Sequence, residues 1–188
     1  MWLIDLIGED YARSIEVVNF DDGSDPNDDD LEAVERFADL KQLTLMNRER
    51  ITDAGLRHLR GLSRLEVLAL NGTRVRGEGL RHLVDMQELT GLTLDNTPLT
   101  DNALQYIGEL RNLEWLHLSN TKITDDGLRH LSALPYLKGI QLRETSITDD
   151  GIRHLSTMTS LKSVLLGDGV SQEGRAWLRD QLPGCNVQ

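Results

Sequence analysis

The chain has 188 residues, of which 39% are hydrophobic and 27% charged, and its net charge is −11. This length suits one domain, and no apolar run reaches the ~18 residues that a membrane-spanning helix needs. The acidic balance disfavours general binding to nucleic acid, because no net basic surface exists to release counterions. The start of the chain lacks a basic segment and carries Asp5, unlike a secretory signal, so a complete chain is expected to be cytoplasmic.

Residues 1–40 are predicted to form an N-terminal cap with a degenerate first repeat. They hold the whole charge imbalance, with thirteen acidic and two basic residues, while the rest of the chain has eighteen of each. A capping helix is predicted from Trp2 to Tyr11, and a degenerate first strand is predicted around Val18. Apolar residues at helical spacing follow over Leu31–Leu40.

The segment from Asp21 to Glu32 is strongly acidic and has two interpretations. Acidic residues occupy places 1, 5, 9 and 12, as in the calcium-binding loop of an EF-hand. The weak calcium candidate consists of Asp21, Asp25, Asp29 and Glu32. Place 6, where the EF-hand needs glycine, is Pro26, which argues against this interpretation. The alternative is an acidic insertion that also caps a helix beginning near Asp29 or Asp30.

A repeat of 24 residues, occupying residues 41–170, is the dominant pattern of the chain. The segment Ile51–Leu56 returns four times in similar form, and two columns of leucine return with it. Such a period indicates a solenoid, in which no unit buries its apolar face alone. The columns are Leu65, Leu89, Leu113, Leu137 and Leu161, and Leu70, Leu94, Leu118, Leu142 and Leu166.

Each unit is predicted to contain a strand, a turn, a short helix and a second turn. In the fourth unit, alternation around Leu116 and Leu118 indicates a strand with one buried face. Thr124 is the expected N-cap of the following helix, and Pro135 should end that helix near Ala133. Helices are wider than the ~4.8 Å spacing of strands, so the sheet should be concave and the helices convex. The fold class is therefore an α/β solenoid with parallel strands near residues 67–70, 91–94, 115–118, 139–142 and 163–166.

The unit Leu-x-x-Leu-x-Leu-x-x-Thr-x-Ile, found from Leu113 to Ile123 and followed by Thr-Asp-x-Gly-Leu, resembles the leucine-rich repeat family. The resemblance covers residues 15–182, and the units look like a 24-residue bacterial subclass common in planctomycete-type proteins. The units are also similar to the repeats of GALA-type effectors and F-box partner proteins. The asparagine that this family has after the strand is replaced here by Thr73, Thr97, Thr121 and Thr145. The resemblance implies an arc that binds protein on its concave face, and it implies no chemistry.

Residues 171–188 are predicted to form a C-terminal capping helix and tail, because terminal units must be atypical to close the core. The last helix is expected over residues 175–182. The turn Gly167–Val170 has one residue fewer than in earlier units, whereas Met46–Arg50 has one more and should bulge.

The sequence contains no catalytic set. It lacks Gly-x-Ser-x-Gly, His-Glu-x-x-His and a phosphate-binding glycine loop, and the single cysteine, Cys185, has no placeable histidine partner. A histidine column lies on the convex helices, interrupted by Tyr106, which is more typical of a solvated surface than of a metal site. We expect no enzyme activity and no cofactor. The column is His58, His82, His130 and His154.

The concave face is the expected binding site. Trp115 is its most informative residue, because its neighbours on adjacent strands are Gly91 and Gly139. A tryptophan near an arginine is typical of interface hot spots. Alternatively, the indole lies over the glycines and only covers the sheet. The predicted partner-binding residues are Trp115, His117, Gln141, Arg143, Asp95, Glu144 and Thr93.

The sequence thus predicts a non-enzymatic scaffold that binds a protein or peptide. One alternative is an adaptor or substrate-recognition module resembling F-box-associated or effector repeats. Another is a structural repeat without a specific ligand, although the concave residues do not repeat as they would in such a protein.

Overall fold

The computed structural model describes residues 14–20 and 24–188, which form one parallel sheet covered on one side by short helices. Eight strands in this part of the chain pair in sequence order. They are β1 (Val17–Asn19), β2 (Gln42–Thr44), β3 (Val67–Ala69), β4 (Gly91–Thr93), β5 (Trp115–His117), β6 (Gly139–Leu142), β7 (Ser163–Leu166) and β8 (Asn186–Val187). This arrangement confirms the predicted solenoid. The helix predicted from Trp2 to Tyr11 lies outside the described residues.

The 24-residue period sets the register of the sheet. Leu68, Leu92 and Leu116 are successive partners and are fully buried, as are the matching residues of β6 and β7. The sequence separation between Leu43 and its partner Leu68 is one residue longer than the 24-residue period. The separation between Val164 and its partner Val187 is one residue shorter. The irregular first and last units that the sequence predicted therefore leave the ladder in register.

The helices on the convex side are tighter than predicted. Most are 3-10 helices, which rise about 2.0 Å per residue and so cover one unit with fewer residues than an α-helix. The 3-10 helices are Asp28–Arg36, Gly55–Leu59, Glu78–His82, Arg129–Ala133 and Gly151–Leu155, and the α-helices are Asp101–Ile107, Asp125–Leu128 and Gln172–Gln181. The helix before Pro135 ends at Ala133, as predicted. The last helix begins earlier than expected, because the Ser171 side chain caps it by accepting from Gly174 N.

The threonines after the strands stabilise the turns. Thr73 Oγ1 donates to Leu70 O at 2.7 Å. Thr97, Thr121 and Thr145 make the same bond. The residue before each threonine has a positive φ, a conformation that favours glycine and asparagine. These residues are Gly72, Asn96, Asn120 and Glu144.

A carboxylate clamp joins neighbouring units on the helix side. Asp101 accepts hydrogen bonds from the backbone N–H and the hydroxyl of Thr124, at 2.7 and 2.8 Å. Thr124 is the N-cap residue of its helix, as predicted, but its hydroxyl donates to Asp101 and makes no bond within that helix. A Cβ at Gly127 would lie 2.5 Å from Asp101 Oδ1, so this glycine makes room for the clamp. The same clamp joins Asp28 to Thr52, Asp125 to Thr148 and Asp149 to Ser171.

Candidate partner-binding face

The outward face of the described sheet carries no Asp, Glu, Lys or Arg, although 27% of the chain is charged. We call this face the neutral strip. Its residues are Val17, Asn19, Gln42, Thr44, Val67, Ala69, Gly91, Thr93, Trp115, His117, Gly139, Gln141, Ser163, Leu165 and Asn186. Depletion of charged residues distinguishes the core of a protein interface from the remaining surface.

Charged residues flank the neutral strip where the strands begin, and four of them form two ion pairs. Lys41 Nζ lies 2.9 Å from Glu16 Oε1, and Lys138 Nζ lies 2.6 Å from Glu114 Oε2. The hydrogen bond and the charge of Glu16 raise the pKa of Lys41. Exposed pairs of this kind contribute little to stability, but they neutralise part of the charge beside the strip.

Trp115 is the largest exposed side chain of the neutral strip, with 46% of its surface accessible. Its Cε3 and Cζ3 atoms lie against Gly139, where an alanine Cβ would clash with them. On the other side, a Cβ at Gly91 would lie 3.4 Å from Val67 Cγ2. The indole therefore leans over the following strand and covers its glycine, while nearly half of the side chain remains available for contact.

His117 is held between the two adjacent strands. Its Nε2 lies 3.0 Å from Gln141 Nε2, and its Nδ1 lies 3.6 Å from Asp95 Oδ2. The ring therefore contacts a polar side chain of each neighbouring unit. Asp95 in turn accepts from Ser119 N at 2.7 Å. These contacts join the polar side chains at the centre of the face to one another.

Arg143 and Glu144 lie at the edge of the face, just after β6. Both are exposed, and neither side chain forms an ion pair with another described residue. Glu144 has a φ of 54° where earlier units have asparagine or glycine, a conformation that costs about 1 kcal/mol or more for such a side chain. With Leu166 and Asp168 they line a depression of about 450 Å³.

The structure brings together the predicted residues Trp115, His117, Gln141 and Asp95, and it places Arg143 and Glu144 beside them. Thr93 lies between Ala69 and His117 in register, and its buried hydroxyl has no hydrogen-bond partner. Val67 and Ser119 also lie on or beside this face, and neither was predicted from the sequence as a binding residue. The outward strand position of Val67 and its large apolar side chain were the available signal.

The acidic segment before β2 forms a helix cap. The Asn27 side chain accepts from Asp29 N at 2.8 Å, and Asp30 Oδ2 accepts from Asn27 N at 2.9 Å, as in a capping box. Asp28 is engaged by Thr52. Asp21 lies outside the described residues. Residues 14–20 and 24–188 hold no group of three potential metal ligands among their His, Cys, Asp and Glu residues. These contacts favour the helix-capping interpretation over calcium binding.

The histidine column and Cys185 form no reactive cluster within the described residues. His58 Nδ1 lies 2.5 Å from Glu35 Oε1. Burial, with the charges of Arg81, Arg60 and Arg57, lowers the pKa of His82. Burial also raises the pKa of Cys185, which disfavours the reactive thiolate.

Comparison with known proteins shows likeness at the level of the fold. No protein-family profile matches the chain, and no curated protein matches its sequence. Internalin C2 of Listeria monocytogenes matches with a TM-score of 0.75 and 19% identity, over 96% of this chain and 74% of internalin C2. Internalin F of the same bacterium matches with a TM-score of 0.60 and 14% identity, over 93% of this chain and 61% of internalin F. The fold is therefore a leucine-rich repeat solenoid. Among the described residues, no helix has the length and apolar character required to cross a membrane.

Proposed function

We propose that this chain is a non-enzymatic scaffold that binds a protein or peptide through its concave face. The observation that carries the proposal is the neutral strip, a surface without permanent charges in a chain that is rich in them. A water-exposed surface tolerates charge easily, whereas charge buried under a partner is costly. A face without permanent charges therefore suits burial under a partner.

Trp115 is the expected anchor of the complex. It combines a large apolar surface with a fixed position over Gly139, so a partner that buries it loses little side-chain entropy. His117 and Gln141 supply hydrogen-bonding groups beside it, and Arg143 and Glu144 supply charges at the edge. A partner segment with an apolar anchor and acidic or amide side chains fits this set.

The adaptor alternative uses the same face and differs in what happens to the bound protein.

Assignment to the 24-residue bacterial subclass rests on the constant spacing from β3 to β7 and on the Thr-Asp-x-Gly-Leu segment. A structural repeat without ligand remains the contrasting hypothesis, and it predicts that no substitution on the concave face changes any interaction.

The test is an unbiased pull-down with wild type, Trp115→Ala and Tyr136→Ala. Tyr136 is the matched control, because it is an aromatic residue with 57% exposure that lies outside the sheet. A partner of the concave face should be lost with Trp115→Ala and retained with Tyr136→Ala. For the identified partner, Trp115→Ala should cost at least about 2 kcal/mol, roughly thirtyfold in affinity. Equal retention by both variants would contradict the proposal.

A further inference from the structure

The junction between the units of β3 and β4 lacks the carboxylate clamp. At this junction Gly77 occupies the place of the clamp aspartate, and Thr100 occupies the place of Thr124. The side chain of Thr100 makes no cap bond. Its backbone N–H donates to no carboxylate, whereas the backbone N–H of Thr124 donates to Asp101. One inter-unit link is therefore missing on the helix side.

A backbone link is missing at the same place. In neighbouring units, a backbone hydrogen bond crosses the junction just before the helix. Arg74 N donates to Ile51 O at 2.9 Å, and Lys122 N donates to Leu99 O at 2.9 Å. The corresponding residue here is Pro98, which has no N–H to donate to Val75. Within residues 24–188, this is the junction where both links are absent.

The sheet remains paired across this junction. Gly91 N donates to Glu66 O at 3.0 Å, Leu70 N to Thr93 O at 2.8 Å and Gly72 N to Asp95 O at 2.8 Å. On the helix side, polar contact depends on the exposed bond from Tyr106 Oη to Glu78 at 3.2 Å and on Asn112 donating to Gln87 O at 2.6 Å. The sheet side of the junction thus keeps its backbone hydrogen bonds, whereas the helix side lacks two of the links found at other junctions.

We propose that this junction is the hinge of the solenoid, at which the two helices separate while β3 and β4 stay paired. Separation on the convex side bends the sheet further inward. It therefore brings the units carrying Val67 and Trp115 closer across the concave face. Each missing hydrogen bond corresponds to roughly a fivefold larger opening constant. The hinge follows from contacts within the chain and holds whether or not the proposed partner exists.

The test restores the missing donor at one junction and removes it at the next. Pro98→Lys supplies an N–H to Val75 O, and Lys122→Pro removes the matching bond to Leu99 O. Nitroxide labels are placed at Arg81 and Gln105 across the hinge, and at Gln105 and Arg129 across the intact junction, in a Cys185→Ser background. Distance distributions are then measured by continuous-wave electron paramagnetic resonance.

The wild-type distribution should be broader for the first label pair than for the second. Pro98→Lys should narrow the first distribution, and Lys122→Pro should broaden the second. In unlabelled wild type, the amide of Ala103 should exchange hydrogen faster than the matched amide of Gly127, after correction for intrinsic rates. Equal widths with equal exchange, or a first distribution that Pro98→Lys leaves unchanged, would overturn the hinge.

Discussion

The indole of Trp115 lies against the backbone of Gly139, its register partner on the next strand. A glycine in one unit therefore sets the position of the aromatic ring in the unit before it. This relationship joins two residues that are adjacent in the sheet and far apart in the sequence, and it fixes the centre of the neutral strip.

Gly139→Ala should displace the indole of Trp115. The new methyl group would clash with Cε3 and Cζ3, and the half-exposed ring would swing into solvent. We expect a red-shifted fluorescence, measured in a background with Trp2 and Trp177 replaced by phenylalanine, and a loss of about 1 kcal/mol in unfolding free energy. Gly91→Ala is the control, because its methyl group meets Val67 at ordinary contact distance. An unshifted spectrum for Gly139→Ala would show that the ring does not lie there.

Leu116→Ala should destabilise the array far more than Trp115→Ala, its neighbour on the same strand. Leu116 is fully buried between sheet and helices, and truncating such a residue costs about 2–5 kcal/mol. Trp115→Ala leaves the aliphatic core intact and should change the melting temperature little. Urea denaturation of both variants checks the difference. Similar losses for the two would mean that Trp115 belongs to the core.

The strands and the core follow from local pattern, which is why the sequence predicts them. Each leucine column recurs with the period of the unit, and one buried face per strand is enough to place Leu68, Leu92 and Leu116 in register. The outward position of Trp115 follows from the same alternation. These inferences need no knowledge of how one unit packs on the next.

The contacts between units could not be predicted in the same way. Thr124 and Asp125 both suit the start of a helix, so their types indicate local roles. In the structure they bond to neighbouring units, Thr124 to Asp101 and Asp125 to Thr148. The positive φ of Glu144 could not be predicted from the sequence for a similar reason. Its glutamate gives no local signal for a conformation that the stacking of turns imposes.

Acid should weaken the carboxylate clamp at the C-terminal end. Hydrogen bonds from the hydroxyl and backbone N–H of Ser171 lower the pKa of Asp149 below its ordinary value of 3.8. A carboxyl with a lowered folded-state pKa stabilises the native state above the unfolded pKa, and this contribution disappears as pH falls through the folded pKa. Asp149→Asn should therefore reduce stability at neutral pH, with a difference from wild type that shrinks below pH 3.8.

Asp150→Asn is the control for this comparison, measured by thermal denaturation at each pH. Asp150 is an exposed neighbour whose carboxylate lies 3.5 Å from Arg153 Nε. A difference between wild type and Asp149→Asn that stays constant down to pH 2 would contradict the role given to the clamp.

Calcium should leave the stability of the chain unchanged. Asp28 is engaged by Thr52, and Asp30 by the backbone of Asn27. Asp29 lies 3.7 Å from Arg57. Of the candidate ligands, Asp29 would have to give up its ion pair with Arg57 to bind a cation, and the contacts of Asp28 and Asp30 hold the neighbouring backbone in a helix cap. Isothermal calorimetry with millimolar calcium should show no binding heat. A melting temperature that rises with calcium, and rises less with magnesium, would support calcium binding by Asp21, Asp25, Asp29 and Glu32.

Arg179→Ala should expose the edge of the sheet at β8. The bonds from β8 to the sheet run through Asn186 and Gln188, so the Val187 carbonyl faces away from β7. Arg179 covers that carbonyl, with Nε at 3.2 Å and Nη2 at 2.8 Å. Unpaired strand edges invite pairing with other chains, so we expect Arg179→Ala to associate as its concentration rises, as measured by light scattering after size-exclusion chromatography. Arg60→Ala removes the same charge from an exposed convex position and should behave as wild type does. An Arg179→Ala variant whose mass stays equal to that of wild type at every concentration would show that this side chain does not protect the edge.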